Sequence, residues 1–526
     1  MRDWFKKSIN IVSSLVLTLI LLGVPLEATA NAAANKGLAN ASPVAQSILS
    51  VEIKEASISE LQREMQRGRL TSEQLVEFYL ERIATYDDQL NSFIWINENA
   101  IAEARELDKQ RRGGKANGAL HGIPVILKDN YDTYDMPTTA GALALKDSIP
   151  LKDAYQTKRL REEGAIILGK ANLHEFAFGF QTISSLGGQS YNPYDLTRFP
   201  GGSSGGTAAA VAANLVTVGL GTDTGGSIRI PSSFNSLVGI RPTMGLASRD
   251  GIIPLALTQD VGGPMARTVE DAAVVLDVIA GYDPNDPVTE ASIGNIPRTY
   301  THYLKKNGLK NAKIGVVPAL FGNNAQINKV MEQAIADMEA QGAEVFEVAI
   351  PNLNQILAYP SLSGYEFKFQ LNDYLESLGP DAPMKSLSDI IDSGLYDPSL
   401  RSALITRNNR ESLEDDPTYQ EIITTRPKLT RESLISVFDE YELDAIVYPT
   451  SNALPAVVGG GQGAGNANRL SPYSGFPAIS VPAGFSDNGL PIGMEMLGQE
   501  FDEPTLIKLA YSYQEATKHR KAPGLY

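Results

Sequence analysis

Two serines stand 24 positions apart in glycine-rich surroundings: Ser203 in Gly201-Gly202-Ser203-Ser204-Gly205-Gly206 and Ser227 in Asp223-Thr224-Gly225-Gly226-Ser227-Ile228-Arg229. A serine that attacks a carbonyl carbon needs a base within hydrogen-bond reach and donors aimed at the oxyanion that forms. Thr224, Gly225, Gly226 and Ser227 supply consecutive backbone N–H groups, and the two glycines permit a tight turn that lets such donors converge on one small anion. Ser227 is therefore the candidate nucleophile, beside its own oxyanion hole. Histidine, the usual base, is badly placed: His121, His174, His302 and His519 all lie outside the glycine-rich segments and away from strand tips. Lys128 is the alternative, because it ends the apolar run Ile123-Pro124-Val125-Ile126-Leu127, where burial disfavours an ammonium and lowers its pKa from about 10.4. The Ser203 hydroxyl both donates and accepts, so it can pass a proton between a lysine and a second serine.

Taken singly, each of these features has a plainer explanation. A Gly-Gly-Ser-Ser-Gly-Gly stretch makes a surface loop, a lysine at a strand end snorkels to solvent, and Asp223 with Arg229 makes a structural ion pair. The joint spacing favours catalysis. His121 and His174 are expected to pack or hydrogen-bond locally, since no second ligand lies at metal-site spacing. Three other motifs are chance matches. Gly201 to Gly205 fits Gly-x-Ser-x-Gly, but an α/β-hydrolase would need a downstream acid and histidine in order. Gly164 to Ala171 nearly fits a phosphate-binding loop, but it lacks the Ser or Thr for magnesium and its centre reads as a strand. Ser486-Asp487-Asn488 echoes a β-lactamase element in a chain without Ser-x-x-Lys.

The elements that must position these groups follow an α/β rhythm. Ser57 to Glu60 and Thr71 to Gln74 fit capping boxes, each opening a helix. A helix over 98–112 precedes the buried strand 123–127, and a helix over 154–163 precedes the strand 165–168. An Ala-rich helix spans 207–213, and a further helix 269–280. The remaining pattern predicts strands over 313–317, 343–349, 444–448 and 478–481, with helices over 327–340 and 504–517, which together imply one large sheet wrapped by helices. Residues 352–427 are polar with weak periodicity and read as a variable insertion over the sheet.

Of 526 residues, 43% are hydrophobic and 20% charged, enough for a large core. The formal charge of −16 argues against a sequence-independent grip on nucleic acid phosphates. The chain has no cysteine, which removes disulfides, thiolate nucleophiles and iron–sulfur clusters. Residues 1–30 read as a signal peptide. Arg2, Lys6 and Lys7 make a positive start, an apolar run from Ile9 to Val24 follows, and Ala28-Thr29-Ala30 is a small-x-small cleavage site. The expected location is exported, periplasmic or secreted, with only transient membrane contact; an uncleaved anchor is the alternative, although the run is short for a span. Residues 31–52, Ala/Asn-rich, read as a flexible spacer.

The serine motifs, preceded by Gly122-Ile123-Pro124-Val125-Ile126-Leu127-Lys128-Asp129-Asn130, resemble the amidase signature family. The likeness continues through Gly239 to Thr243, Gly251 to Pro254, Gln259 to Thr268, Phe476 to Pro482 and Leu490 to Gly493. It implies an amidase domain over 53–521, an α/β fold with a single large mixed, twisted sheet flanked by helices on both faces, and a Ser-Ser-Lys triad. By that resemblance Lys128 is the general base, Ser203 the bridging serine after a cis peptide, and Ser227 the acylated nucleophile. Thr224, Gly225, Gly226 and Ser227 form the oxyanion hole, and Asp223 and Arg229 brace the loop. The implied reaction is hydrolysis of a small-molecule or peptide amide without metal or cofactor. The alternatives are the glutaminase subunit of a tRNA-dependent amidotransferase and a non-catalytic envelope binding protein on the same scaffold. The sequence does not specify an oligomeric state.

Overall fold

The capping signals read from the sequence do start helices. In the computed structural model, which describes residues 52–524 other than 117 and 466, Ser57 and Glu60 exchange reciprocal hydrogen bonds at the start of helix Ile58–Gln66. Thr71 and Gln74 do the same at Ser72–Leu90. Each box satisfies N–H groups that the first helical turn leaves without a partner. The expected signal peptide, and all of the expected spacer but its last residue, lie outside the described residues. From Ile53 onward the described chain forms one compact unit.

Thirteen strands occur among the described residues: β1 (Phe93–Ile96), β2 (Pro124–Lys128), β3 (Ile166–Ala171), β4 (Ile183–Ser184), β5 (Gly188–Gln189), β6 (Val218–Asp223), β7 (Val238–Arg241), β8 (Val261–Ala266), β9 (Lys313–Val316), β10 (Glu344–Glu347), β11 (Ala445–Pro449), β12 (Ala478–Phe485) and β13 (Pro491–Leu497). All but the small hairpin β4–β5 join one 11-stranded sheet in the order β1-β3-β2-β6-β8-β7-β12-β13-β11-β9-β10. The sheet is mixed: β2 runs parallel to β3 and β6, while β8 is antiparallel to both β6 and β7. Helices flank it, as the α/β reading expects.

Strands β1, β6, β7, β8 and β13 have no counterpart in the sequence pattern. Strands β6 (Val-Gly-Leu-Gly-Thr-Asp) and β8 (Val-Gly-Gly-Pro-Met-Ala) are buried along their whole length, so neither shows the alternation of a half-exposed strand. Their glycines serve packing. A Cβ at Gly219 would lie 2.5 Å from the Thr207 side chain, and one at Gly263 would lie 2.3 Å from the Ile240 carbonyl oxygen. The first of these lets helix Gly205–Ala212, which begins two residues after Ser203, lie directly on β6.

The segment 352–427, expected as a polar insertion of weak periodicity, is helical. It holds Leu353–Ala358, Ser363–Ser377, Leu387–Ser393, Arg401–Asn408 and the first half of Pro417–Tyr441. Phe367, Leu371, Leu375, Leu387, Ile390 and Leu404 pack on Ala140, Leu145, Phe176 and Leu255. The segment is therefore anchored on the loops that follow β2, β3 and β7, and β2 is the strand that carries Lys128.

Candidate active site

Lys128 is the last residue of β2, a strand buried at every position. Its Nζ lies 2.7 Å from Ser203 Oγ and 2.7 Å from Thr222 Oγ1. Lys128 and Ser203 are fully buried and Ser227 nearly so. Burial pushes the Lys128 ammonium down to about 7, and the pull of Asp223 and Asp260 in the other direction only partly offsets it. A lysine poised near neutrality can take a proton at physiological pH. Thr222 enters because β2 and β6 are paired with Leu127 opposite Leu220. Asn130 Nδ2 donates to the same Thr222 hydroxyl at 3.1 Å.

Ser203 follows a cis peptide from Gly202, as the family likeness implied, and its carbonyl accepts the His174 N–H at 3.0 Å. A Cβ on Gly202 would come within 2.8 Å of the Gly179 carbonyl oxygen, so only glycine permits that approach. The two serine segments are tied through the backbone, Ser204 N–H donating to the Ser227 carbonyl at 3.2 Å. Among the described residues, the Ser227 hydroxyl itself has no hydrogen-bond partner. Such catalytic contacts commonly tighten only when substrate binds.

Residues 224–227 turn from β6 into helix Arg229–Phe234. Gly226 has φ 121°, a conformation glycine adopts without strain. Here the structure corrects the expected oxyanion hole. The Gly226 N–H donates to Asp223 Oδ1 at 2.7 Å, so it is spent on the brace. The N–H groups of Thr224, Gly225 and Ser227 are uncommitted among the described residues, and the space beside Gly225 is open.

The brace itself is larger than the expected pair of Asp223 and Arg229. Arg229 grips Asp223 with Nε and Nη2 at 3.0 and 3.1 Å, and also contacts Glu495. Arg241 adds a second cation 3.3 Å from Asp223. All four side chains are fully buried. Burial alone would push the Asp223 carboxyl up, but Arg229 and Arg241 outweigh it and hold the group below the usual carboxylate range. Burial also lowers Arg241 to about 10, with Asp223 opposing.

The sequence reading missed Thr222, Asn130, Arg241, Gln259, Asp260 and Glu495. Asn130, Arg241, Gln259 and Asp260 lie inside motifs that carried the family likeness, which was the available signal. Thr222 had none, because its role comes from strand register. His174 and His121 do hydrogen-bond locally, to the Gln181 N–H and the Leu107 carbonyl, and burial pushes His174 down to about 4. Lys170, from the rejected phosphate-loop match, is buried in β3 and paired with Asp129 at 3.1 Å.

Comparison with known proteins shows the family. The Amidase family model matches residues 74–507. The chain is 37% identical over 499 residues to a probable amidase of Arabidopsis thaliana, covering 90% of this chain and 92% of that one. It is also 37% identical over 496 residues to a glutamyl-tRNA(Gln) amidotransferase subunit of Marinobacter nauticus, covering 89% and 99%. Among solved structures, it is similar to the native peptide amidase from Stenotrophomonas maltophilia, with a TM-score of 0.82 and 38% identity over 89% of this chain and 98% of that one.

Proposed function

Because this chain belongs to the amidase signature family and hydrolyses carboxylic amides, we propose that it does so as an exported enzyme in which Ser227, Ser203 and Lys128 divide the work. Ser227 Oγ attacks the amide carbon while its proton passes to Ser203 Oγ, and the Ser203 proton passes to neutral Lys128. The negative charge that develops on the carbonyl oxygen is met by the free N–H groups of the 224–227 turn. Collapse breaks the C–N bond, and the proton held by Lys128 returns through Ser203 to the departing ammonia or amine. Water then attacks the acyl-Ser227 ester by the same relay and releases the acid. This scheme uses no metal or cofactor.

The observation that carries the reading is the contact between a fully buried Lys128, lowered to about 7, and Ser203 at 2.7 Å. Ser227→Ala should abolish acylation and labelling by a serine-directed covalent probe, with the fold intact by circular dichroism. Wild-type turnover in that variant would overturn the assignment.

Enzymes of this family act on small amide or peptide substrates. The 38% identity to a peptide amidase and the leader-like residues 1–30 support peptide and environmental amides as substrates. A panel of peptide amides, aryl amides and aliphatic amides, scored separately for ammonia and amine, ranks them. The 37% identity to an amidotransferase component favours one second reading, a glutaminase that passes ammonia to a tRNA-binding partner. Copurification of such a partner with a chain retaining residues 1–30 would select it.

A further inference from the structure

We propose that Gln259 is a positioning residue that aims the Gly225 N–H into the oxyanion hole and ties that aim to the helical segment packed beside the site. The inference rests on the assignment of Ser227 as nucleophile. The peptides of the 224–227 turn are trans, and in a planar trans peptide the C=O and the next residue's N–H point in opposite directions. Whatever grips a carbonyl from behind therefore aims the following N–H.

Arg241 Nη1 holds the Asp223 carbonyl, which aims the Thr224 N–H. Ile230 N–H holds the Gly226 carbonyl at 2.8 Å, which aims the Ser227 N–H. Between them, Gln259 Nε2 donates to the Thr224 carbonyl at 2.8 Å, which aims the Gly225 N–H. Gln259 is fully buried and its amide orientation is forced. Its nitrogen faces a carbonyl that only accepts, while its oxygen faces two groups that only donate. Those two are the Leu362 N–H at 2.9 Å and Arg426 Nη1 at 3.1 Å. Leu362 precedes helix Ser363–Ser377 and Arg426 lies in helix Pro417–Tyr441. Arg241 Nη2 also holds the Gln259 carbonyl at 2.9 Å, which locks the strut to the same arginine that aims Thr224.

The test compares wild type with Gln259→Met and Gln259→Glu at a pH above the Lys128 transition. Methionine keeps the length and removes all three side-chain hydrogen bonds; glutamate keeps the acceptor for Leu362 and Arg426 but cannot donate to Thr224 when ionised. Both variants should lose roughly 10- to 100-fold in kcat, somewhat less than the loss of an oxyanion donor itself, with KM within about twofold. Affinity for a peptide aldehyde, which forms a tetrahedral adduct on serine, should fall by the same factor as kcat, and the pH transition near 7 should stay in place. A folded variant with kcat within about twofold of wild type, or equal losses in substrate and aldehyde binding, would overturn the proposal. Should both variants fail to fold, Arg426→Lys tests the strut from its far end. A folded Arg426→Lys enzyme with unchanged kcat and aldehyde affinity overturns the proposal, and a matched loss in both supports it. Activity in Ser227→Ala would instead defeat the assignment on which it rests, so the two failures are distinguishable.

Discussion

At the scale of single residues, the structure places Lys128, the proposed base, where water cannot reach it. Lys128 is held near 7 chiefly by burial, so the fraction in the neutral, proton-accepting form grows as pH rises through that value. Accordingly, kcat/KM should climb with pH through about 7 and then level, and a pH–rate profile checks it. Lys128→Ala should lower activity roughly 100- to 10,000-fold, the usual range for a general base, and should abolish that rise. Lys128, Ser203 and Ser227 were legible because their neighbours are distinctive: a glycine pair before each serine and an apolar run before the lysine. Thr222 was not legible. It accepts a hydrogen bond from Lys128 across 94 positions of sequence, through a strand pairing that leaves no local trace.

At the scale of elements, close approach decides the geometry. Helix Gly205–Ala212 carries the Ser203 segment onto the sheet, and a Cβ on Gly206 would sit 2.2 Å from the Asn172 carbonyl oxygen and 2.7 Å from that of Ser92. Backbone atoms cannot swing aside as side chains do. Gly206→Ala should therefore cost about 1–3 kcal/mol of stability or more and depress kcat beyond the effect on folding, which denaturant titration and kinetics on the same sample would separate. Helices with capping boxes were legible because their signals are local. The strands β6, β7 and β8 were not, since full burial erases alternation and their glycines, read alone, suggest turns. The helices within 352–427 also escaped notice: Leu353–Ala358, Leu387–Ser393 and Arg401–Asn408 are short, and the apolar residues Phe367, Leu371, Leu387, Ile390 and Leu404 find their partners only by packing on the loops near Ala140 and Phe176.

At the scale of the whole molecule, the net charge of −16 sets a repulsive background for any polyanion, which counts against direct contact with tRNA. Among the described residues no helix is long and apolar enough to cross a membrane. Residues 1–30 carry the proposal of export, and it predicts a mature N-terminus just after Ala30 in the periplasmic or secreted fraction. Mass spectrometry of the N-terminal peptide checks this, with Met1 retained in a cytoplasmic protein as the opposing result. The order of residues was enough to identify the family and to single out Ser227, Ser203 and Lys128 as the proposed nucleophile, bridging serine and base, because that chemistry depends on residue types held at short, glycine-marked spacings. Folding had to supply the rest: the N–H groups still free for an oxyanion, the loss of Gly226 to Asp223, the contact of Thr222 with Lys128 and the reach of Gln259 to Thr224. Except for Gly226, these hydrogen bonds join residues far apart in the chain. Sheet register and helix approach set them, and neither is written in the local pattern of residues.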